Sequence, residues 1–228
     1  MQRTTPVVLN LIIINALVWI AQISLTSFNI TEWGSLHYFS SPNFKPHQLV
    51  TNMFLHDTGG IGHLLFNMFG LWMFGSVLEN FWGSQRFLIF YLVCGLGASL
   101  LTELMVPFSA GQFASSATGL RMAAENAVNK QVIIDWYQQT TSALGASGAI
   151  MGVMAAFAYL FPNTEMFVMM IPVPVKAKFV IPVLVLIDLF GGLNPGQGDN
   201  VAHFAHLGGA IVGFVLVLIW NKNRKRFY

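Results

Sequence analysis

Charged residues are the scarcest class in this sequence. The 228 residues include 11 Lys and Arg and 9 Asp and Glu, so that 9% carry a charge, against roughly a quarter in an ordinary soluble domain. The net charge of +2 gives no basic surface of the kind that binds nucleic acid. With 55% hydrophobic residues, the composition excludes a soluble globular domain. It predicts a protein embedded in the lipid bilayer, without a nucleic-acid partner.

Cysteine and several catalytic signatures are also missing. Cys94 is the only cysteine, which excludes an internal disulfide. No HExxH string occurs, so the common zinc-protease helix is excluded. The G-x-S-x-G elbow of soluble hydrolases needs a glycine at the position of Ala149. We therefore expect neither a metal nor a cofactor.

Long apolar segments, by contrast, are abundant. A bilayer-crossing helix needs about 20 apolar residues, and six segments approach or reach that length, near 6–26, 61–81, 86–106, 144–162, 178–193 and 201–220. The fifth is short and contains Pro182, which a helix packed among neighbours tolerates. Without a fixed-period repeat or a soluble domain, the sequence predicts an all-α membrane protein. Residues 1–228 would form a single domain, a polytopic bundle of six transmembrane helices.

The distribution of basic residues predicts the orientation of this bundle. If the N-terminus is cytoplasmic, the inner side carries most of them, as the positive-inside rule requires. The inner residues are Arg3, Arg86, Lys176, Lys178, Lys222, Arg224, Lys225 and Arg226, and the outer ones are Lys45, Arg121 and Lys130. Both termini are then cytoplasmic, and the two long loops, 27–60 and 107–143, are external. In the second loop, apolar positions at helical spacing predict one amphipathic helix over residues 120–139.

Four polar side chains lie in the predicted spans at one depth. His63 and Asn67 open span two, Ser147 opens span four, and His206 follows about one and a half turns into span six. These three spans all run from outside to inside, and at 1.5 Å per residue the four side chains lie within roughly 10 Å of the outer ends. Polar groups at such depth are costly unless they have partners or a function. We therefore expect a functional site there.

Two close-packing motifs are expected to bring the serine and histidine together. Gly148–Gly152 and Gly209–Gly213 are GxxxG motifs, which let helix backbones approach closely. Ser147 would then be a nucleophile and His206 its general base. His63, Asn67 and the Ser147 backbone N–H would stabilise the oxyanion. The sequence places no Asp or Glu where it would evidently orient the imidazole, so we predict a Ser-His dyad.

The motifs that carry these residues resemble those of the rhomboid intramembrane serine proteases. They are HxxxN at residues 63–67, GxSG at 145–148 and AHxxGxxxG at 205–213. The resemblance covers nearly the whole chain and implies the bacterial six-span form. It implies a serine endopeptidase of the bacterial inner membrane that cuts transmembrane segments of membrane proteins near the outer leaflet. In that family the four residues have the roles given above. The stretch from His56 to His63 is longer than the usual spacing, which leaves the role of His56 open.

Two other classes fit parts of the sequence. Polar helix starts, Pro182 and the proline-containing loop after residue 167 also suit a membrane transporter with broken helices, although an inverted repeat is missing. A catalytically inactive rhomboid-like binder of membrane segments is the other alternative, and the presence of both Ser147 and His206 argues against it. His203 matches no required motif position and is predicted to be a structural contact between helices. Span five, with the glycine-rich loop 191–198 as a cap, is predicted to be a mobile gate.

Overall fold

The described part of the chain is mainly helical. A computed structural model describes residues 5–25, 27–167, 173–195 and 202–222. In chain order its helices are α1 (Pro6–Ser24), α2 (Ile30–Gly34), α3 (Gln48–Thr51), α4 (Gly62–Gly70), α5 (Ser76–Trp82), α6 (Ser84–Ser115), α7 (Ala117–Glu125), α8 (Lys130–Thr140), α9 (Ser147–Leu160), α10 (Ala177–Leu193) and α11 (His203–Lys222). Part of the glycine-rich loop after α10, together with Arg3 and residues 224–226, lies outside the described residues.

Each of the six apolar segments contains a helix. A π-helical turn, Leu71–Gly75, joins α4 to α5, so the second segment is one continuous helix. Among the described residues three helices are long and apolar enough to cross a bilayer, at Pro6–Ser24, Ser84–Ser115 and His203–Asn221. The fourth and fifth segments form shorter helices of 14 and 17 residues. That all six segments cross the membrane as one domain stays a prediction.

Two short antiparallel pairs of strands tie the loops to these helices. Strand β1 (Leu36–His37), in the first long loop, pairs antiparallel with β2 (Ser142–Ala143), which ends shortly before α9. Strands β3 (Glu165–Met166) and β4 (Val175–Lys176) pair in the same manner between α9 and α10. The first pairing therefore fixes the chain that leads into Ser147.

The second long loop, 107–143, differs from its prediction. Helix α6 continues through Pro107 to Ser115, and the single helix expected over 120–139 is two helices, α7 and α8. The break follows from local chemistry, because the Asn129 side chain accepts a hydrogen bond from Val132 N and starts α8 afresh. Asparagine competes for backbone groups in this way and is favoured at helix starts. Ala127, just before it, has a positive φ of 51°, which ends α7.

The centre of the bundle is the contact of α9 with α11, and here the GxxxG prediction is confirmed. A Cβ added to Gly209 would collide with the carbonyl oxygen of Gly148, and one added to Gly213 would lie 2.5 Å from the carbonyl oxygen of Gly152. The two backbones thus touch directly, which residues with side chains would prevent. Helix α6 packs against the same pair, since a Cβ on Gly152 would also lie 2.5 Å from Cys94 Sγ.

Helix α1 is held by one buried carboxylate on α5. Glu79, 2% exposed, accepts hydrogen bonds from the backbone N–H groups of Val7 and Val8 at 2.9 and 2.8 Å. It also accepts hydrogen bonds from the hydroxyls of Thr5 and Ser84. The N–H groups of Val7 and Val8 belong to the first turn of α1, where backbone amides have no intrahelical partner and a negative charge is favourable.

Helix α10 is attached differently, through a thin apolar layer. Its Leu184 and Val185 pack against Met151 and Ala155 of α9 and Ala210 of α11. The opposite side of α10 is lined with large apolar side chains that no other described element covers, among them Phe179, Ile187 and Phe190 at 56%, 58% and 64% exposed. Such a surface suits contact with lipid.

Candidate active site

Ser147 and His206 form a direct hydrogen bond. Ser147 is the first residue of α9 and His206 lies in the first turn of α11, and Ser147 Oγ is 2.7 Å from His206 Nε2. The backbone contact between Gly148 and Gly209 places the two helix starts side by side. This is the geometry in which an imidazole accepts a serine proton. The structure therefore brings together the two residues that the sequence predicted to be the nucleophile and its base.

Gly145 provides the space in front of this pair. Its φ is +129°, in the region that favours glycine. A Cβ at this position would lie 3.1 Å from Cε1 and Nε2 of His63 and 3.7 Å from Ser147 Oγ. The Gly145 N–H donates to the carbonyl oxygen of Asn52 at 2.9 Å, which holds the turn. The missing side chain therefore lets the His63 ring approach the serine.

The orientation of His63 makes it a donor toward this space. Its Nδ1 accepts a hydrogen bond from the backbone N–H of Asp57 at 3.1 Å. In the neutral ring the proton is then on Nε2, which lies beside Gly145. The Ser147 N–H belongs to the first turn of α9, where helix amides have no intrahelical partner. Both groups can donate to an oxyanion formed at the serine.

Asn67 lies one turn below His63 and is 7% exposed. Its Nδ2 donates to the carbonyl oxygen of His63 at 2.7 Å, and its buried Oδ1 has no hydrogen-bond partner among the described residues. An amide nitrogen carries two protons, so one N–H remains for a ligand. The oxyanion role of Asn67 stays a prediction.

His56, whose role the sequence left open, lies directly behind His63. The two rings meet edge to face with 5.2 Å between centroids, and His56 Nε2 is 2.8 Å from Asn15 Oδ1 on α1. Burial, with a smaller contribution from the nearby His63, lowers the pKa of His56 to about 4. A neutral His56 therefore braces His63 and connects it to α1. The long spacing in sequence is taken up by residues 57–61, which turn back before α4 begins.

Asp188 lies at this site although the sequence did not predict it there. Its Oδ1 is 2.9 Å from His206 Nδ1 and 2.8 Å from His203 Nδ1. The expectation that no carboxylate orients the imidazole was wrong. The signal that could have identified Asp188 was its position in an apolar segment, since a buried carboxylate needs partners just as a buried serine does. His203 is an interhelical contact, as predicted, but its partner is this carboxylate.

Comparisons with known proteins found a matching family model and several similar proteins. The family model described as Rhomboid domain matches residues 43–223. RHOMBOID-like protein 12, mitochondrial, of Arabidopsis thaliana is 32% identical over 97% of this chain and 60% of its own length. Rhomboid protease GluP of Bacillus subtilis is 30% identical over 73% of this chain and 24% of its own length. Rhomboid protease AarA of Providencia stuartii is 27% identical over 93% of this chain and 71% of its own length. The chain thus spans less than two thirds of the length of the first two relatives.

Proposed function

Because the chain belongs to the rhomboid family, an all-α family of integral membrane proteins, we propose that it is an intramembrane serine endopeptidase. Its substrates would be transmembrane segments of other membrane proteins, cut near the outer leaflet. The observation that carries this proposal is the 2.7 Å hydrogen bond between Ser147 Oγ and His206 Nε2. Relatives that are named rhomboid proteases support the same function.

The reaction would proceed in two halves. His206 accepts the Ser147 proton while Oγ attacks the peptide carbonyl, and the negative charge develops on the carbonyl oxygen. His63 Nε2–H, the Ser147 N–H and the second N–H of Asn67 would bind that oxygen. His206 then gives the proton to the leaving amine, and an acyl-enzyme remains. Water, deprotonated by His206, hydrolyses the ester and restores the serine hydroxyl.

The cavity beside Ser147 limits the size of the side chain next to the cut bond. Its walls include the bulky Leu36, Met53 and Leu144 as well as Ala98, Ser99 and Ala149. A helical substrate hides its carbonyls in backbone hydrogen bonds. It must therefore unwind locally, which glycine and other weak helix formers make easier. The thin packing of α10 supports its role as the gate through which such a segment enters from lipid.

The proposed location in the membrane rests on the distribution of basic residues. With the basic residues on the inner side, both termini would be cytoplasmic and Ser147 would lie near the outer face of a bacterial inner membrane. The partners would be transmembrane protein substrates and the lipid bilayer. No contact among the described residues favours a transporter or an inactive binder. Both alternatives predict that the experiment below finds no reactive serine.

A fluorophosphonate probe tests the proposal, because it reacts with activated serine hydroxyls. We expect wild-type protein in detergent to be labelled at Ser147, as identified by mass spectrometry, and the Ser147→Ala variant to be unlabelled. Ser142→Ala is the matched control, since Ser142 lies five residues earlier on the exposed side of β2. Its labelling should equal that of the wild type. An unlabelled wild type, or labelling that survives Ser147→Ala, would refute the proposal.

A further inference from the structure

Asp188 joins two imidazoles through a single oxygen atom. Its Oδ1 is within 2.9 Å of Nδ1 on both His203 and His206, and the residue is 7% exposed. The two histidines are three residues apart on α11, so both rings lie on one helix face. The carboxylate comes from α10. One buried side chain thus connects the helix proposed as the gate to the proposed catalytic base.

The residues next to Asp188 on α10 leave room for the His203 ring. A Cβ added to Gly191 would collide with the His203 ring, 2.5 Å from Nε2. One added to Gly192 would lie 3.0 Å from the ring of Phe204 and 3.3 Å from His203 Cβ. Two successive glycines therefore let the end of α10 lie against the start of α11. Because this fit does not involve Ser147, it is independent evidence that the α10–α11 contact is specific.

The chemical consequence concerns the tautomer of His206. A carboxylate can only accept, so His206 Nδ1 must carry the proton that it donates to Asp188. Nε2 then presents its lone pair to the Ser147 hydroxyl. The same negative charge stabilises the imidazolium that forms when His206 takes the serine proton. A ring without this partner is free to adopt the other tautomer, which cannot act as the base.

We propose that Asp188 is a positioning residue that turns the Ser147–His206 pair into a relay of three residues, and that it does so only while α10 is packed against α11. Withdrawal of α10 would remove the carboxylate from both histidines. The base would then be aligned only after α10 has returned, with the substrate inside. His203 holds the carboxylate in place through the same Oδ1. This inference rests on the proposed function.

The test uses the full-length protein in liposomes with a transmembrane-segment substrate. We expect Asp188→Asn to lower kcat at least 30-fold and to leave KM within about twofold, because the amide can occupy the same space without the charge. Glu103→Gln is the matched control, since Glu103 is another buried acid, 2% exposed, on α6, and its carboxylate accepts a hydrogen bond from Phe39 N in the loop after β1. It should keep kcat within twofold. An Asp188→Asn variant with wild-type kcat would overturn the inference.

A spectroscopic measurement on the wild type keeps the test independent of whether the variant folds. In protein labelled with ¹⁵N-histidine, we expect two downfield Nδ1–H proton resonances, from His203 and His206, and the His206 resonance should be absent from a His206→Gln variant. A wild type without that resonance would overturn the inference even if Asp188→Asn is unstable. The proposed function fails in a different way, namely if the wild type neither cleaves nor reacts with the fluorophosphonate. Loss of activity in Ser147→Ala together with full activity in Asp188→Asn refutes only the role of Asp188.

Discussion

Substitution of Gly145 by alanine should damage catalysis more than it damages the fold. The backbone at this position has φ +129°, a conformation that costs a residue with a side chain about 1–3 kcal/mol. The new methyl group would also lie 3.1 Å from His63 Nε2, closer than carbon and nitrogen comfortably approach. His63 would have to move, and its ring is held between Asp57 and His56. We therefore expect the ring to lose its alignment with the oxyanion.

The size of the effect follows from these two contributions. Loss of one oxyanion donor typically lowers kcat about 10²–10³-fold, whereas 1–3 kcal/mol of backbone strain leaves most domains folded. Gly145→Ala should thus remain helical by circular dichroism, with a lower thermal midpoint, while kcat falls about 100-fold or more. KM should change little, because the donor acts mainly on the transition state.

Gly111→Ala supplies the control for a change of the same chemistry. A Cβ at Gly111, inside α6, would meet nothing within 4 Å, and alanine is the better helix former. We expect unchanged kcat and equal or slightly higher stability. The assay is cleavage of a transmembrane substrate in liposomes, read by gel and mass spectrometry. A Gly145→Ala variant with a kcat within threefold of the wild type would refute the role assigned to His63.

Three further predictions concern packing, pH and the gate. Gly209→Ala should separate α9 from α11, because its Cβ would collide with the Gly148 carbonyl; overpacking of this kind costs about 1–3 kcal/mol, and both the unfolding midpoint and fluorophosphonate labelling should fall. His56, with a pKa of about 4 in the folded protein against about 6.5 unfolded, binds its proton more readily in the unfolded state. The contribution of His56 to the free energy of unfolding should therefore be complete above pH 6.5 and fall by about 3 kcal/mol as the pH drops to 4. Thermal unfolding of His56→Gln should show a smaller loss of stability over this pH range than the wild type. A disulfide between Gly192→Cys and His203→Cys, whose Cβ atoms would lie 3.3 Å apart, should hold α10 in place; oxidation should then lower substrate cleavage more than probe labelling, and equal effects would argue against a gate.

The parts of the site that the sequence predicted are those fixed by local spacing. Ser147 and His206 each stand at a set distance from a GxxxG motif, and those motifs determine how α9 and α11 pack. The pair could therefore be predicted from helix geometry alone. The segments that contain the helices were equally accessible, because apolar length is a property of composition. The confirmed all-α membrane fold follows from that property.

The parts that were missed depend on contacts between distant residues. Asp188 reaches His206 across 18 residues and an intervening loop, and His56 reaches Asn15 across 41. No spacing rule connects such pairs. Helix α6 continues past Pro107 for a related reason, since Val106, Ala110 and Ala114 are buried at successive turns. Tertiary packing there outweighs the hydrogen bond that proline removes.

The central claim is that Ser147 cuts a peptide bond inside a membrane segment, and one measurement addresses it directly. Purified protein and a protein with a single transmembrane segment are placed together in liposomes, and the products are sequenced by mass spectrometry. The account predicts new chain ends within the apolar segment, near its outer end, and none with Ser147→Ala. Cuts confined to the water-exposed flanks, or cuts that persist in Ser147→Ala, would contradict it.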